Sequence, residues 1–361
     1  MDLKNQMDSL IQKPVTRSRY LWADLIRIIA ILGVIAIHVD TFGYSWNKIP
    51  WIDWWVANVY NAIIRFAVPI LFILSGYLLL DKQEDDRTFF SKRFSKVVIP
   101  LVAWSMIYMI FKHKYDISSI FSVEFMQRFL NDDIFYHLYF LYYIIGLYLI
   151  TPLLRRILVH ANMNDIRYFL MLWFLFTPFN QLMGFFGYNI GIPVEAATGN
   201  LGLYLTGYAI KKTQVTSKII CLSGIIVATA LITMIFGSYI MSMNSGKFNT
   251  FLTSTSITQT TYAICLFILL REALNHMTLR MSYKKIEKVI KAVAGASMGI
   301  YLVHPMLLHY VRHGIFGVFL LSPSFLSPII SIPMVTGLLL VVSLIIVIIM
   351  QKIPLIKKIV P

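Results

Sequence analysis

The chain has 361 residues, of which 58% are hydrophobic and only 14% charged, and its mean hydropathy is +0.71. Soluble domains carry about 25% charged residues, so a water-soluble enzyme is excluded for most of this length. The formal net charge of +15 does not point to nucleic acid, because the basic residues sort by segment along the chain.

Apolar runs near twenty residues recur from end to end, as membrane-spanning helices require. They predict an all-α polytopic integral membrane protein of about ten spans, near 20–42, 56–80, 96–112, 134–154, 168–184, 197–210, 217–240, 255–271, 293–311 and 326–350. The fifth and sixth are short and interrupted by Pro178, Gly184, Gly187 and Pro193. With the N-terminus inside, 24 of the 32 Lys and Arg fall in cytoplasmic segments. Lys48, Lys112, Lys114, Arg128, Lys247 and Arg312 fall outside, while Arg27 and Arg65 lie within the membrane. This loop-by-loop bias supports both termini being cytoplasmic, with some of the surplus available to anionic lipid.

The expected organisation is a cytoplasmic tail over 1–19, one membrane domain over 20–351 and a cytoplasmic tail over 352–361. The Lys-rich segment 272–292 reads as a short surface helix. The first apolar stretch is too long and too polar for a cleaved signal peptide, so it is expected to stay as an anchor. Cys221 and Cys265 fall inside expected helices, which argues against a disulfide framework or a metal–thiolate site.

In that first stretch, Arg27 costs roughly 2.5–3.5 kcal/mol at a membrane centre by insertion scales. Arg27 and His38 are eleven residues apart, about three turns plus roughly 20°, so they line one stripe about 16 Å long. Asp24 falls near the same stripe and can compensate the charge. The stripe is either a site or a helix-stapling ion pair beside a packing histidine. The second span carries Arg65, Pro69, Ser75 and Gly76. Pro69 removes a donor and predicts a kink, and Ser75 and Gly76 permit close packing. Arg65 lies about two turns inside the outer surface, and snorkelling is its bland alternative.

Arg93 and Lys96 sit before Pro100 at the cytoplasmic mouth, where they fit either donor phosphates or plain positive-inside signalling. The fourth span opens with His137 and a run of tyrosines that fits an interfacial belt, with His137 at the outer edge free to face water. The ninth span holds Ser297, Tyr301 and His304 on one helical face. It also matches G-x-S-x-G, but the nucleophile elbow needs a strand-to-helix turn that these apolar helical flanks do not supply.

Together these pieces resemble the membrane acyltransferase-3 family of bacterial O-acyltransferases. The residues carrying the resemblance are Asp24, Arg27 and His38; Arg65, Pro69 and Ser75-Gly76-Tyr77; Arg93, Lys96 and Pro100. His137-Leu-Tyr-Phe-Leu, Gly146-Leu-Tyr148, Thr151-Pro152, Gly202, Gly207-Tyr208 and Ser297, Tyr301, His304-Pro305 follow in order. The chain looks closest to stand-alone O-acetyltransferases that decorate surface polysaccharides or their lipid-linked precursors. It departs where the family usually has a second Arg (here Lys96, which loses the planar fork) and a Trp after His-Leu (here Tyr139).

The resemblance implies acyl-CoA, with acetyl-CoA as the default, as co-substrate and a carbohydrate hydroxyl as acceptor, in the cell membrane. No bound cofactor, metal or nucleic-acid partner is expected. His38 would act as general base and Arg65 as oxyanion stabiliser. Asp24, Arg27, Arg93 and Lys96 would hold the donor, with Ser75, His137, Ser297, Tyr301 and His304 on the acceptor side or behind the catalytic groups. A two-step route through an acylated Tyr301 or Ser297 stays open. The rivals are an exporter or flippase of a polysaccharide precursor, for which buried Arg and His are equally suited, and a non-catalytic scaffold.

Overall fold

A lipid interior offers no hydrogen bonds to an open backbone, so the spanning elements must satisfy their own peptide groups. In a computed structural model the described residues are 20–40, 46–188, 190–192, 199–245, 250–253, 255–280, 284–313 and 326–361, and among them there is no strand. The tail expected over 1–19 lies outside the described residues. Among those residues seven helical stretches are long and apolar enough to cross a membrane: Leu21–Val39, Trp51–Leu79, Asp86–Lys112, Tyr139–His160, Ser217–Asn244, Ile257–Thr278 and Pro328–Gln351.

The helices are α1 (Leu21–Val39), α2 (Trp51–Ile64), α3 (Ala67–Leu79), α4 (Asp86–Arg93) and α5 (Ile99–Lys112). After them come α6 (Val123–Leu130), α7 (Tyr139–His160), α8 (Met163–Phe174), α9 (Asn180–Phe185) and α10 (Leu201–Lys212). The last four are α11 (Ser217–Ser245), α12 (Ile257–Arg280), α13 (Lys284–Arg312) and α14 (Pro328–Gln351). The fifth expected span is divided into α8, a wide turn Leu175–Phe179 and α9. Pro178 sits in that turn, where its missing N–H breaks the α-helical ladder. The sixth, α10, has twelve residues, about 18 Å of helix, against an apolar layer of about 30 Å.

One expectation needs correction. Residues 272–292 do not form a separate surface helix: α12 runs to Arg280 and α13 starts at Lys284, its first turns supported by the Glu287–Lys291 pair. The second span is interrupted, as Pro69 leads one to expect, and the break falls at Arg65 and Phe66. Pro69 has no N–H to give the Arg65 carbonyl, and that carbonyl accepts instead from Gln259 Nε2 on α12 at 2.6 Å. Tyr262, one turn further along α12, donates to the Ile63 carbonyl at 2.7 Å. A long-range pair of side chains thus replaces the lost helical bonds and fixes where Arg65 leaves the backbone.

α3 and α10 cross with their backbones in contact. A Cβ on Gly76 would stand 1.7 Å from the Tyr204 carbonyl oxygen, and one on Gly207 would stand 1.9 Å from that of Ile73. Only glycine permits this reciprocal approach. The Tyr204 hydroxyl then reaches Thr151 Oγ1 on α7 at 2.9 Å, so the crossing also sets the distance between α3 and α7. After α14 the chain turns back. The Trp104 indole donates to the Ile359 carbonyl at 2.9 Å, Gln351 donates to that of Val360 at 3.0 Å, and Val360 is fully buried.

Gly76→Ala drives a methyl group into backbone, where no side chain can yield. We expect a loss of about 3 kcal/mol or more, roughly 6–10 °C in Tm, read by thermal unfolding in detergent. Gly146→Ala, whose added Cβ meets nothing within 4 Å, should leave Tm within about 2 °C, since large shifts need a clash or a cavity; equal Tm values for the two variants would contradict the packing.

Candidate active site

α1 and α13 both start at the end of the bundle where Lys and Arg gather, and both carry a polar stripe away from it. On α1 the Asp24 carboxylate is buried and accepts from Arg27 at 2.8 Å, leaving the Arg27 side chain 31% exposed. A cationic group on an apolar helix is thus neutralised locally and still faces a cavity. That cavity, about 530 Å³, is lined by Asp24, Arg27, Arg93 and Lys96, together with Ser75, Tyr148, Ser297, Lys82, Lys211 and Pro361. The four residues expected to hold a donor therefore share one space.

The turn that presents Arg93 and Lys96 has a local cause. Pro100 cannot donate to the carbonyl four residues back, and the preceding turn Phe94–Val98 is widened, with the Ile99 N–H reaching the Phe94 carbonyl. The Arg93 guanidinium lies 5.1 Å from the Phe89 ring centroid, 5.7 Å from that of Tyr148 and 4.0 Å from the Glu84 carboxylate. Lys82 and Lys92 also bond Glu84, at 3.0 and 2.5 Å. One carboxylate thus meets three cations, and the rim keeps a positive surplus suited to an anionic ligand. Lys82 and Lys211 were hidden in the sequence because each sits where positive-inside signalling already explains a lysine.

Beyond Arg27 the space narrows to about 150 Å³ between Ile31, Leu71, Ser75, Phe140, Ile144, Ser297 and Tyr301. Ser75 Oγ donates to the Leu71 carbonyl at 2.7 Å and Ser297 Oγ to that of Ala294 at 2.8 Å. Gly295–Gly299 lies within continuous α13, without the turn a nucleophile elbow requires. Ser75 and Ser297 thus face the basic cavity and its neck.

Past the neck stand three histidines. Tyr301 donates to the His137 carbonyl. His137 does not face water: it is fully buried, packed 4.9 Å from the Tyr108 ring, 5.3 Å from Tyr301 and 6.0 Å from His304. Among the described residues neither of its ring nitrogens has a hydrogen-bond partner. His38 Nδ1 lies 2.8 Å from His304 Nε2, with the two rings nearly parallel at 7°. His304 Nδ1 in turn lies 3.1 Å from the Ile300 carbonyl, one turn back in its own helix.

These distances fix the tautomers of a neutral pair. A carbonyl can only accept, so His304 carries its proton on Nδ1 and bares Nε2. His38 Nδ1–H must then donate to that nitrogen. The lone pair of His38 is left on Nε2, the atom a base needs.

Arg65 is oriented toward the same region. Its Nε donates to Asn61 Oδ1 at 2.7 Å, and Asn61 Nδ2 donates to Asp40 Oδ2 at 3.2 Å, two residues beyond His38. Arg312 donates to the His38 carbonyl, and the Tyr136 ring meets the imidazole edge-on at 4.9 Å. Gln259, Asn61, Asp40, Tyr136 and Arg312 carry no motif in the sequence; only their place in the fold reveals them. A basic cavity, an apolar neck, a base with a bared nitrogen and a nearby guanidinium can bind an extended anionic ligand and remove a proton at its far end.

¹⁵N NMR of histidine-labelled protein in bilayers should show protonated Nδ1 and bare Nε2 at both His38 and His304. In His304→Ala we expect the His38 tautomer to become mixed. A wild-type His38 protonated at Nε2 would contradict the relay.

No curated protein and no solved structure matches the chain. A family model described as an acyltransferase domain matches residues 20–350, nearly the full length and every element of the site. The chain therefore belongs to the acyltransferase-3 family and is a multi-pass membrane acyltransferase.

Proposed function

We propose that the protein transfers an acyl group, acetyl by default, from cytoplasmic acyl-CoA to a hydroxyl of a cell-surface polysaccharide or its lipid-linked precursor, in the cell membrane. The observation that carries this reading is the His38–His304 bond of 2.8 Å, which leaves a bare nitrogen beyond a basic cavity and a narrow neck. Ten helical passages with both ends cytoplasmic suit the placement of the lysines and arginines, with the basic end facing the cytoplasm.

In this reading Arg93, Lys96, Lys82 and Lys211 meet the donor phosphates as point charges and one planar fork. Arg27, held by Asp24, holds the upper part of the pantetheine arm. The arm threads the neck as an extended chain, for which a width of a few ångströms suffices, and delivers its thioester toward His38.

The step follows in one addition and one elimination. His38 Nε2 takes the proton of the acceptor hydroxyl while its oxygen attacks the thioester carbonyl. The carbonyl π-electrons move to oxygen, and the Arg65 guanidinium stabilises that oxyanion in a water-poor site. The tetrahedral intermediate collapses, the C–S bond breaks, and the CoA sulfur leaves as thiol with the proton held by His38. His304 does not touch substrate; it keeps His38 in the useful tautomer and shares the imidazolium charge. Ser75 and Ser297, each bonded to its own helix, have no general base within hydrogen-bond reach among the described residues, which favours the direct route over an acylated serine.

Mass spectrometry of surface glycans tests the reading, using cells with wild type, His38→Ala or no copy of the gene at matched expression. Loss of the ester-linked acyl mass in both altered strains, with polymer yield unchanged, is expected. Intact acyl content with reduced polymer at the surface would favour export instead.

A further inference from the structure

Away from the basic cavity and neck, between the first half of α7 and the start of α10, lies a second cavity of about 390 Å³. Asp132, Tyr142, Tyr143, Gly146 and Asn200 line it. Asp132 has two unusual features. Its backbone φ is +57°, in the left-handed region that residues other than glycine occupy at a cost. Its Oδ1 is closed off from solvent and, among the described residues, accepts no hydrogen bond. The neighbouring Asp133 is instead paired with Arg128 at 2.9 Å.

Burial, and then the Asp133 charge, push the Asp132 carboxyl up to about 6. The rest of this half-buried side chain lines the cavity. A carboxylate accepts only, so a ligand that meets it there must bring O–H or N–H groups. The Tyr142 hydroxyl is spent on the Phe129 carbonyl at 2.5 Å, so Tyr142 offers its ring. Tyr143 is half exposed and offers a second aromatic face. Where Gly146 stands, an added Cβ would meet nothing within 4 Å, so the missing side chain is part of the room.

A ligand with several hydroxyl donors around a ring that also has an apolar face matches this set, because it can lie on an aromatic surface and still give protons to a carboxylate. We propose that this cavity seats the acceptor, with a sugar ring against Tyr143 and a ring hydroxyl donating to Asp132. The assignment rests on the acyl-transfer reading above and adds where its second substrate binds.

Two variants test it in the full chain: Asp132→Asn, which keeps the shape and removes the charge, and Gly146→Leu, whose Cβ has open space around it and whose side chain takes up room in the cavity. Ester-linked acyl groups on surface glycans are measured in cells, and binding of acetyl-CoA is measured on purified protein in nanodiscs. Support is an acyl content at least about tenfold lower in both variants, with acetyl-CoA dissociation constants within about twofold of wild type, a split that follows if only one substrate's site is altered. Full acyl content in both variants overturns the proposal and leaves the cavity to lipid chains. Loss of acetyl-CoA binding along with acylation in both also overturns it, since the cavity would then serve the fold or the donor. If wild type itself adds no ester-linked acyl group, the underlying function fails and this assignment falls with it.

Discussion

A polar group inside an apolar layer is costly unless the protein supplies its partner, and much of the organisation around Arg27, Arg65 and His38 follows from that requirement. Asp24 answers Arg27 within α1, three residues away. Gln259 answers the carbonyl that Pro69 leaves open at Arg65, and His304 answers His38 across two helices. Each bond satisfies a buried group and at the same time aims a side chain. Arg65 can stand beside the histidines because α2 and α3 part just where its carbonyl is captured. His38 has a defined basic nitrogen because a helical carbonyl one turn before His304 dictates the proton positions. Structural satisfaction and chemical orientation are here the same set of interactions.

The intimate packing of α3 against α10 plays a quieter part. Two glycines let the backbones touch, and Tyr204 carries that closeness on to Thr151 of α7. The crossing thus fixes α3 against α7, two of the walls of the neck. If the donor is the proposed thioester, whose competing reaction is with water, the walls of Ile31, Leu71, Phe140 and Ile144 would leave little room for solvent beside it.

Local patterns were legible in the sequence. The α1 stripe follows from helical periodicity alone, and Asp24, Arg27, Arg93 and Lys96 do share one cavity. What sequence reasoning could not reach was long-range register. Nothing in the spacing of His304 says that it meets His38, 266 residues earlier. Gln259 gives no sign of serving Arg65. His137 was open to solvent by its position near a span end, yet the rings of Tyr108, Tyr301 and His304 enclose it. Lys82 and Lys211 were masked by an abundance of similar residues with a simpler explanation.

The central claim is that a donor entering at the basic end reacts near the other end of the same helices. Sealed inside-out membrane vesicles, supplied externally with radiolabelled acetyl-CoA, measure this directly. The account predicts that label appears on polysaccharide inside the vesicles, beyond the reach of external glycosidase, and that His38→Ala abolishes it. Label confined to glycan on the outer surface, the side of the donor, would contradict transfer along this path.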